Sequence, residues 1–303
     1  MAHATTEHAN VVELVDGFSR PRNQARFAEA SSDPLLHFGL TTNPFADNVN
    51  PQFFFRTEAH EEAFILMKKA VEDDASLALC TALSGTGKTL LTQILLQDLD
   101  THHHRTILTL VYPGMSRTAL LRDILGELGL DPPAGRTSIH AMLSQIQQEI
   151  IRLHACGQKL VLIIDEAHFL KPDSLHILRT LSNIEVPEKK LISVLLFGED
   201  HFRDRLDLPS FKAVLSRMVF RCTLRPLNAE EVEQYIKFRC LMAGGRADLF
   251  ETSAIEPICR ATRGVPREIN RLAHNGLLAA ARTERQQVNG EIIEALTRVH
   301  QPS

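Results

Sequence analysis

The sequence predicts an α/β protein, a parallel sheet flanked by helices, followed by a small all-helical unit. Short apolar runs alternate with amphipathic segments between residues 77 and 197, as a doubly wound parallel sheet requires. Beyond Phe220 only helical patterns remain. A glycine-rich run, Ala82-Leu83-Ser84-Gly85-Thr86-Gly87-Lys88-Thr89, sits between an apolar run and a helical one, where such sheets carry their phosphate-binding loop.

In order, the apolar runs are Leu77 to Cys80, Ile107 to Val111, Leu160 to Ile164 and Leu191 to Phe197. Helices are expected around Leu90–Leu99, Arg117–Leu128, Ile139–Leu153 and Asp173–Asn183. An earlier helix starts near Thr57, with Ala59, Ala63, Phe64, Met67, Ala70 and Val71 at three- and four-residue spacing. Asn228 with Glu231, and Ser253 with Glu256, resemble capping boxes, and Asn289 suits the cap of a last helix through Val299. Residues 1–36 read as an extension, partly helical around Val11 to Phe18. Residues 37–221 read as the α/β domain and 222–303 as the helical one. Five phenylalanines between Phe38 and Phe55, broken by Pro44 and Pro51, suggest an ordered loop. It either covers a bound adenine or plugs the sheet from below.

The chain has 303 residues, 44% of them hydrophobic and 23% charged, with a net charge of −4. That composition excludes a disordered or fibrous class and a chain basic throughout, although residues 201–303 are mildly positive. Five widely spaced cysteines without a C-x-x-C pair argue against disulfide scaffolds and zinc ribbons. A reducing cytoplasm is the expected location. No signal-peptide pattern and no apolar run of membrane-spanning length is seen. No cysteine or carboxylate cluster accompanies the triplet His102-His103-His104, which reads as a solvated loop.

In the glycine-rich loop, backbone N–H groups from Ala82 to Leu90 are expected to turn toward a β-phosphate at the positive end of the next helix. Lys88 then reaches the β- and γ-phosphates, and the Thr89 hydroxyl takes a coordination site on Mg. Ala82 stands where the pattern asks for glycine. The run Leu160 to Ile164 ends in Asp165-Glu166, and acids at the tip of a buried parallel strand face the ligand crevice. Asp165 is expected to hold Mg and Glu166 to orient or deprotonate the attacking water. Arg217 is the candidate arginine finger for a neighbouring subunit's γ-phosphate, with Arg221 in reserve; a surface salt bridge is the competing reading for both. Arg267, next to Pro266 at a helix start, either senses γ-phosphate or is an exposed arginine after a capping turn.

Together the segments Phe38-Gly39-Leu40, Asn43-Pro44-Phe45, Phe53-Phe54-Phe55, His60 with Glu62-Ala63, the glycine loop, Ile164-Asp165-Glu166-Ala167-His168, Leu181-Ser182-Asn183-Ile184-Glu185 and Gly264-Val265-Pro266-Arg267-Glu268-Ile269-Asn270 resemble the ExeA/GspA family of AAA+ ATPases, to which the transposon target-selection ATPases are related. The resemblance covers about residues 37 to 300. It implies a P-loop NTPase of the AAA+ type with a C-terminal helical lid, ATP at their junction, and an arginine supplied across a subunit interface. By motif, Lys88, Thr89, Asp165, Glu166, Arg217 and Arg267 take the roles above. Two departures stand out: Asp-Glu-Ala-Gln ends here in His168, and Gly-Gln-Pro-Glu reads Gly198-Glu199-Asp200-His201.

Three functions follow as expectations. The first is an ATPase that binds Mg and ATP, forms a homo-oligomer (ring or filament) and remodels or assembles a protein partner, as in export or pilus biogenesis. The second is a regulator of transposition or recombination that oligomerises on duplex DNA, with Arg260, Arg263, Arg271, Arg282 and Arg285 as candidate contacts. The third, motivated by Ala82 and Glu199, is a nucleotide switch with negligible turnover.

Overall fold

The computed structural model describes residues 33–47, 50–133, 138–187 and 189–299; the expected helical stretch Val11 to Phe18 lies outside them. In chain order the strands are β1 (Leu77–Ala82), β2 (His104–Leu110), β3 (Lys159–Asp165), the two-residue ribbon β4 (Glu185–Val186) and β5 (Lys189–Lys190), β6 (Ile192–Glu199) and β7 (Met218–Leu224). The main sheet is ordered β2-β3-β6-β1-β7 and is parallel throughout. The helices are α1 (Pro34–Phe38), α2 (Glu58–Glu72), α3 (Lys88–Asp98), α4 (Arg117–Glu127), α5 (Ile139–Ala155), α6 (Pro172–Leu181), α7 (His201–Leu206), α8 (Lys212–Leu215), α9 (Ala229–Met242), α10 (Thr252–Thr262), α11 (Pro266–Arg282) and α12 (Gly290–Val299).

The apolar runs become strands because both faces of the sheet are covered. On β3, Leu160, Leu162 and Ile164 join the core built with α4, α5 and α6, while Val161 and Ile163 point to the face covered by α2 and α3. Truncating a fully buried leucine such as Leu95 to alanine costs about 2–5 kcal/mol at sites of this kind. Apart from the short β4-β5 ribbon, one strand escaped the sequence reading. β7 is an edge strand that alternates buried and open positions, with Val219 76% exposed, so no apolar run marks it. It also runs through the 221/222 boundary expected from the pattern.

Helices α9 to α12 enclose their own core, including Val232, Ile258, Ile269, Leu277 and Ile293. Phe38, Leu40 and Phe45 are buried in that core, and Phe53 and Phe55 pack against it. The phenylalanine-rich segment is thus no plug beneath the sheet; it belongs to the helical unit. Arg239 fixes it there, donating to the carbonyls of Pro44 and Ala46 with its guanidinium 4.7 Å from the Phe53 ring centre.

The Asn228–Glu231 capping box is present in full, and Asn289 accepts from the Ile292 N–H at 3.2 Å. Ser253 is not a cap. α10 begins two residues earlier than that cap would place it, at Thr252 after Glu251, and the Ser253 hydroxyl donates to the Glu251 carboxylate instead.

Candidate functional site

β1 delivers the chain into the glycine loop and α3 leaves it at Lys88. Gly85 (φ +81°) and Gly87 (φ +106°) occupy backbone conformations that L side chains rarely adopt. Gly87 is also the N-cap of α3 and supplies no side-chain cap, leaving the helix's first N–H groups for an anion. Ala82 needs no glycine: it is the last residue of β1, buried and paired with Glu199 and Leu224. Thr86 knits the loop, donating its hydroxyl to the Leu83 carbonyl at 2.8 Å.

Lys88 is 5% exposed, and its ammonium donates to the carbonyls of Ala82 and Leu83, each at 3.1 Å. The Thr89 hydroxyl donates to Asp165 Oδ2 at 2.9 Å, and the Glu166 N–H donates to Asp165 Oδ1 at 2.8 Å. A hydroxyl and a carboxylate converging on one point beside the glycine loop are the hard oxygen donors that fit Mg with a nucleotide phosphate. Glu166 sits at φ +55°, unusual for a residue with a side chain, and lines the cleft. Burial, then the neighbouring Asp165 charge, raises its carboxyl above the ordinary range, with Lys88 and Arg267 opposing. A carboxylate so placed is suited to take a proton.

The opposite wall of the cleft comes from the helical unit, with Tyr235, Arg239, Pro266, Arg267 and Asn270. The Arg267 guanidinium is 3.4 Å from the Ser84 hydroxyl and 3.9 Å from an Asp47 carboxylate oxygen. Arg217 and Arg221 lie elsewhere. Arg217 donates to the Asn183 side chain and Arg221 to the Met218 carbonyl at 2.8 Å, so neither lines the cleft of its own chain.

Four residues carried no predicted role. The buried His60 has Nδ1 2.7 Å from the Thr57 hydroxyl and Nε2 3.1 Å from the Thr86 carbonyl. The carbonyl must accept, so Nε2 carries the proton and Nδ1 accepts from Thr57. Burial lowers its pKa. A Cβ at Gly87 would come within 3.1 Å of His60 Nε2, so this imidazole props the loop from behind. Tyr235 donates to Asn270 at 2.8 Å across two helices, and Arg239 stands beside them. His60 and Asn270 each fall within a quoted motif, and His60 lies three residues past a cap; Tyr235 and Arg239 are joined to the site only by the fold.

Fold and site together define a P-loop nucleotide-binding protein of the AAA+ class. A family model described as an AAA domain matches residues 71–206. General secretion pathway protein A of Aeromonas hydrophila is 33% identical over 258 residues, 84% of this chain and 46% of that protein. The chain therefore spans about half the length of this curated relative. Among solved structures, the ORC2 protein of Aeropyrum pernix in ADPNP and ADP complexes matches at TM-score 0.62 and 17% identity, covering 86% of this chain and 72% of that one. Cdc6p of Pyrobaculum aerophilum matches at 0.63 and 18%, covering 81% and 67%. The chain is an ExeA/GspA-like AAA+ protein. Among the described residues, no helix is long and apolar enough to cross a membrane.

Proposed function

We propose that this chain hydrolyses ATP with Mg in the cleft and uses the cycle to drive conformational change or assembly of a protein complex, of the secretion or pilus type. The observation that carries the reading is the Thr89–Asp165–Glu166 arrangement beside Lys88. Lys88 binds the β- and γ-phosphates, Thr89 and Asp165 hold Mg, and Glu166 activates water. Arg267 reports γ-phosphate to the lid. Arg217, away from its own cleft, acts on a neighbouring subunit in a homo-oligomer. We further propose the division into an extension, a nucleotide-binding domain and a lid, and a cytoplasmic location.

Similarity to a general secretion pathway protein supports the protein-directed role. So do the lid arginines: Arg260, Arg271 and Arg285 each have a glutamate partner, which reduces the positive field available to duplex DNA. The test is ATPase rate and particle mass of the purified protein, with and without double-stranded DNA, at low and moderate salt. Turnover and assembly indifferent to DNA support the proposal. Salt-sensitive stimulation and assembly on DNA transfer the site to a DNA-bound regulator, and absence of turnover in every condition removes the ATPase reading.

A further inference from the structure

Beside Glu166, His168, Glu199 and His201 bring one ligand atom each to within 4.8 Å of one another. They form the one group of three or more metal-competent side chains found among the described residues. His168 follows β3, Glu199 ends β6 and His201 opens α7, so the fold, not a local sequence repeat, assembles them.

The cluster is braced. Arg205 donates to the carbonyls of His168 and Leu170, at 2.8 and 2.5 Å, and stiffens the turn that carries the first imidazole. The His168 and His201 ring centres are 5.0 Å apart, and His201 Nδ1 lies 3.5 Å from Glu199 Oε2. Donors in a tetrahedral site with bonds of about 2.0–2.1 Å sit about 3.3 Å from one another. The contraction needed falls on His201, whose side chain is 62% exposed and free to turn. His168 is buried and Glu199 half-buried, so the site has two fixed ligands and one that closes over them.

We propose that His168, Glu199 and His201 bind a transition-metal ion of the Zn²⁺ class, at a site separate from the Thr89–Asp165 pair. Two imidazoles and one carboxylate suit Zn²⁺, Co²⁺ or Ni²⁺, whereas Mg²⁺ demands oxygen donors in near-octahedral geometry. Three protein ligands leave a fourth position. Ion binding itself does not rest on the ATPase reading.

The experiment is titration of tag-free, nucleotide-free full-length protein with Co²⁺ in excess Mg²⁺, read by the visible ligand-field bands of a tetrahedral ion, with Zn²⁺ added to displace it. The wild type is expected to bind one equivalent. His201→Ala, exposed and safe for folding, and Glu199→Gln are each expected to weaken binding at least about tenfold and to reduce the bands, by analogy with the losses that even second-layer changes cause at metal sites. His102→Ala/His103→Ala should bind as the wild type does. No bands in the wild type, binding unchanged in His201→Ala and Glu199→Gln, or bands lost only in the His102/His103 variant would each overturn the proposal.

Discussion

The backbone N–H of Arg267, in the first turn of α11, donates to the carbonyl of Gly85 at 3.2 Å. A Cβ built on Gly85 would lie 2.7 Å from the Arg267 Cβ. The lid is therefore seated on the phosphate loop itself, and the absence of a side chain at residue 85 lets it sit there.

Gly85→Ala tests that seat. The left-handed backbone at φ +81° costs an L residue about 1–2 kcal/mol, and the new methyl pushes the start of α11 away from the loop. Nucleotide affinity should fall at least about tenfold, since each 1.4 kcal/mol is a factor of ten. Titration with a fluorescent ATP analogue measures it, and unchanged affinity would show that the lid contact is incidental.

Binding and chemistry should separate at two neighbouring side chains. Lys88→Ala is expected to abolish nucleotide binding. Glu166→Gln should keep binding and lose about 10²–10⁴ in turnover, the usual contribution of a positioned base. Burial and Asp165 raise the Glu166 pKa, so the acid limb of the wild-type rate profile should lie above that of an ordinary glutamate. As pH falls through it, the carboxylate takes a proton and the base is lost; in Glu166→Gln that limb disappears.

His60 makes stability pH-dependent. Its folded pKa lies below the ordinary 6.5 because burial disfavours the charged ring. Its stabilising contribution is thus complete above 6.5 and lost as pH falls through the lowered folded value. Between about pH 8 and about pH 5.5, His60→Gln should lose less unfolding free energy in urea than the wild type does. His104 and His168 shift in the same direction, so the slope should shrink without vanishing.

The Arg217 proposal predicts complementation between two inactive proteins. Arg217→Ala retains Lys88 but offers no finger, whereas Lys88→Ala retains Arg217 but binds no nucleotide. If the finger acts between subunits, mixing the two should restore part of the turnover, because an Arg217→Ala cleft then receives the arginine of a Lys88→Ala neighbour. A mixture no more active than its components would return Arg217 to its role as a partner of Asn183.

Much of the sheet and of the loop side of the cleft was legible because each depends on contiguous residues. Leu160 to Ile164 announces a strand buried on both faces, and Gly85, Gly87, Lys88 and Thr89 form a loop within five positions. What was missed depends on residues the chain brings from afar. Tyr235 and Asn270 meet across two helices, and the phenylalanines near residue 45 find their core near residue 250. β7 was hidden because an edge strand leaves half its side chains in water. The departures at His168 and Glu199 were visible singly, but only the adjacency of β3 and β6 makes them neighbours.

The place of the phenylalanine-rich segment has a mechanical consequence. Because it belongs to the helical unit, the chain crosses between the two units twice, once before α2 and once between β7 and α9. The crossings lie close together: Arg225 on one feels the charges of Glu58 and Glu62 beyond the other. Two adjacent straps define an axle. Leu227, on the second strap, donates to the Gly264 carbonyl at 2.9 Å and ties that axle to the start of α11. The 17 residues of α11 form a rod about 25 Å long, so a swing of about 10° at the axle carries its far end about 4 Å. A small rotation at the start of α11 would thus become a displacement several times larger at its far end, in the manner of a crank.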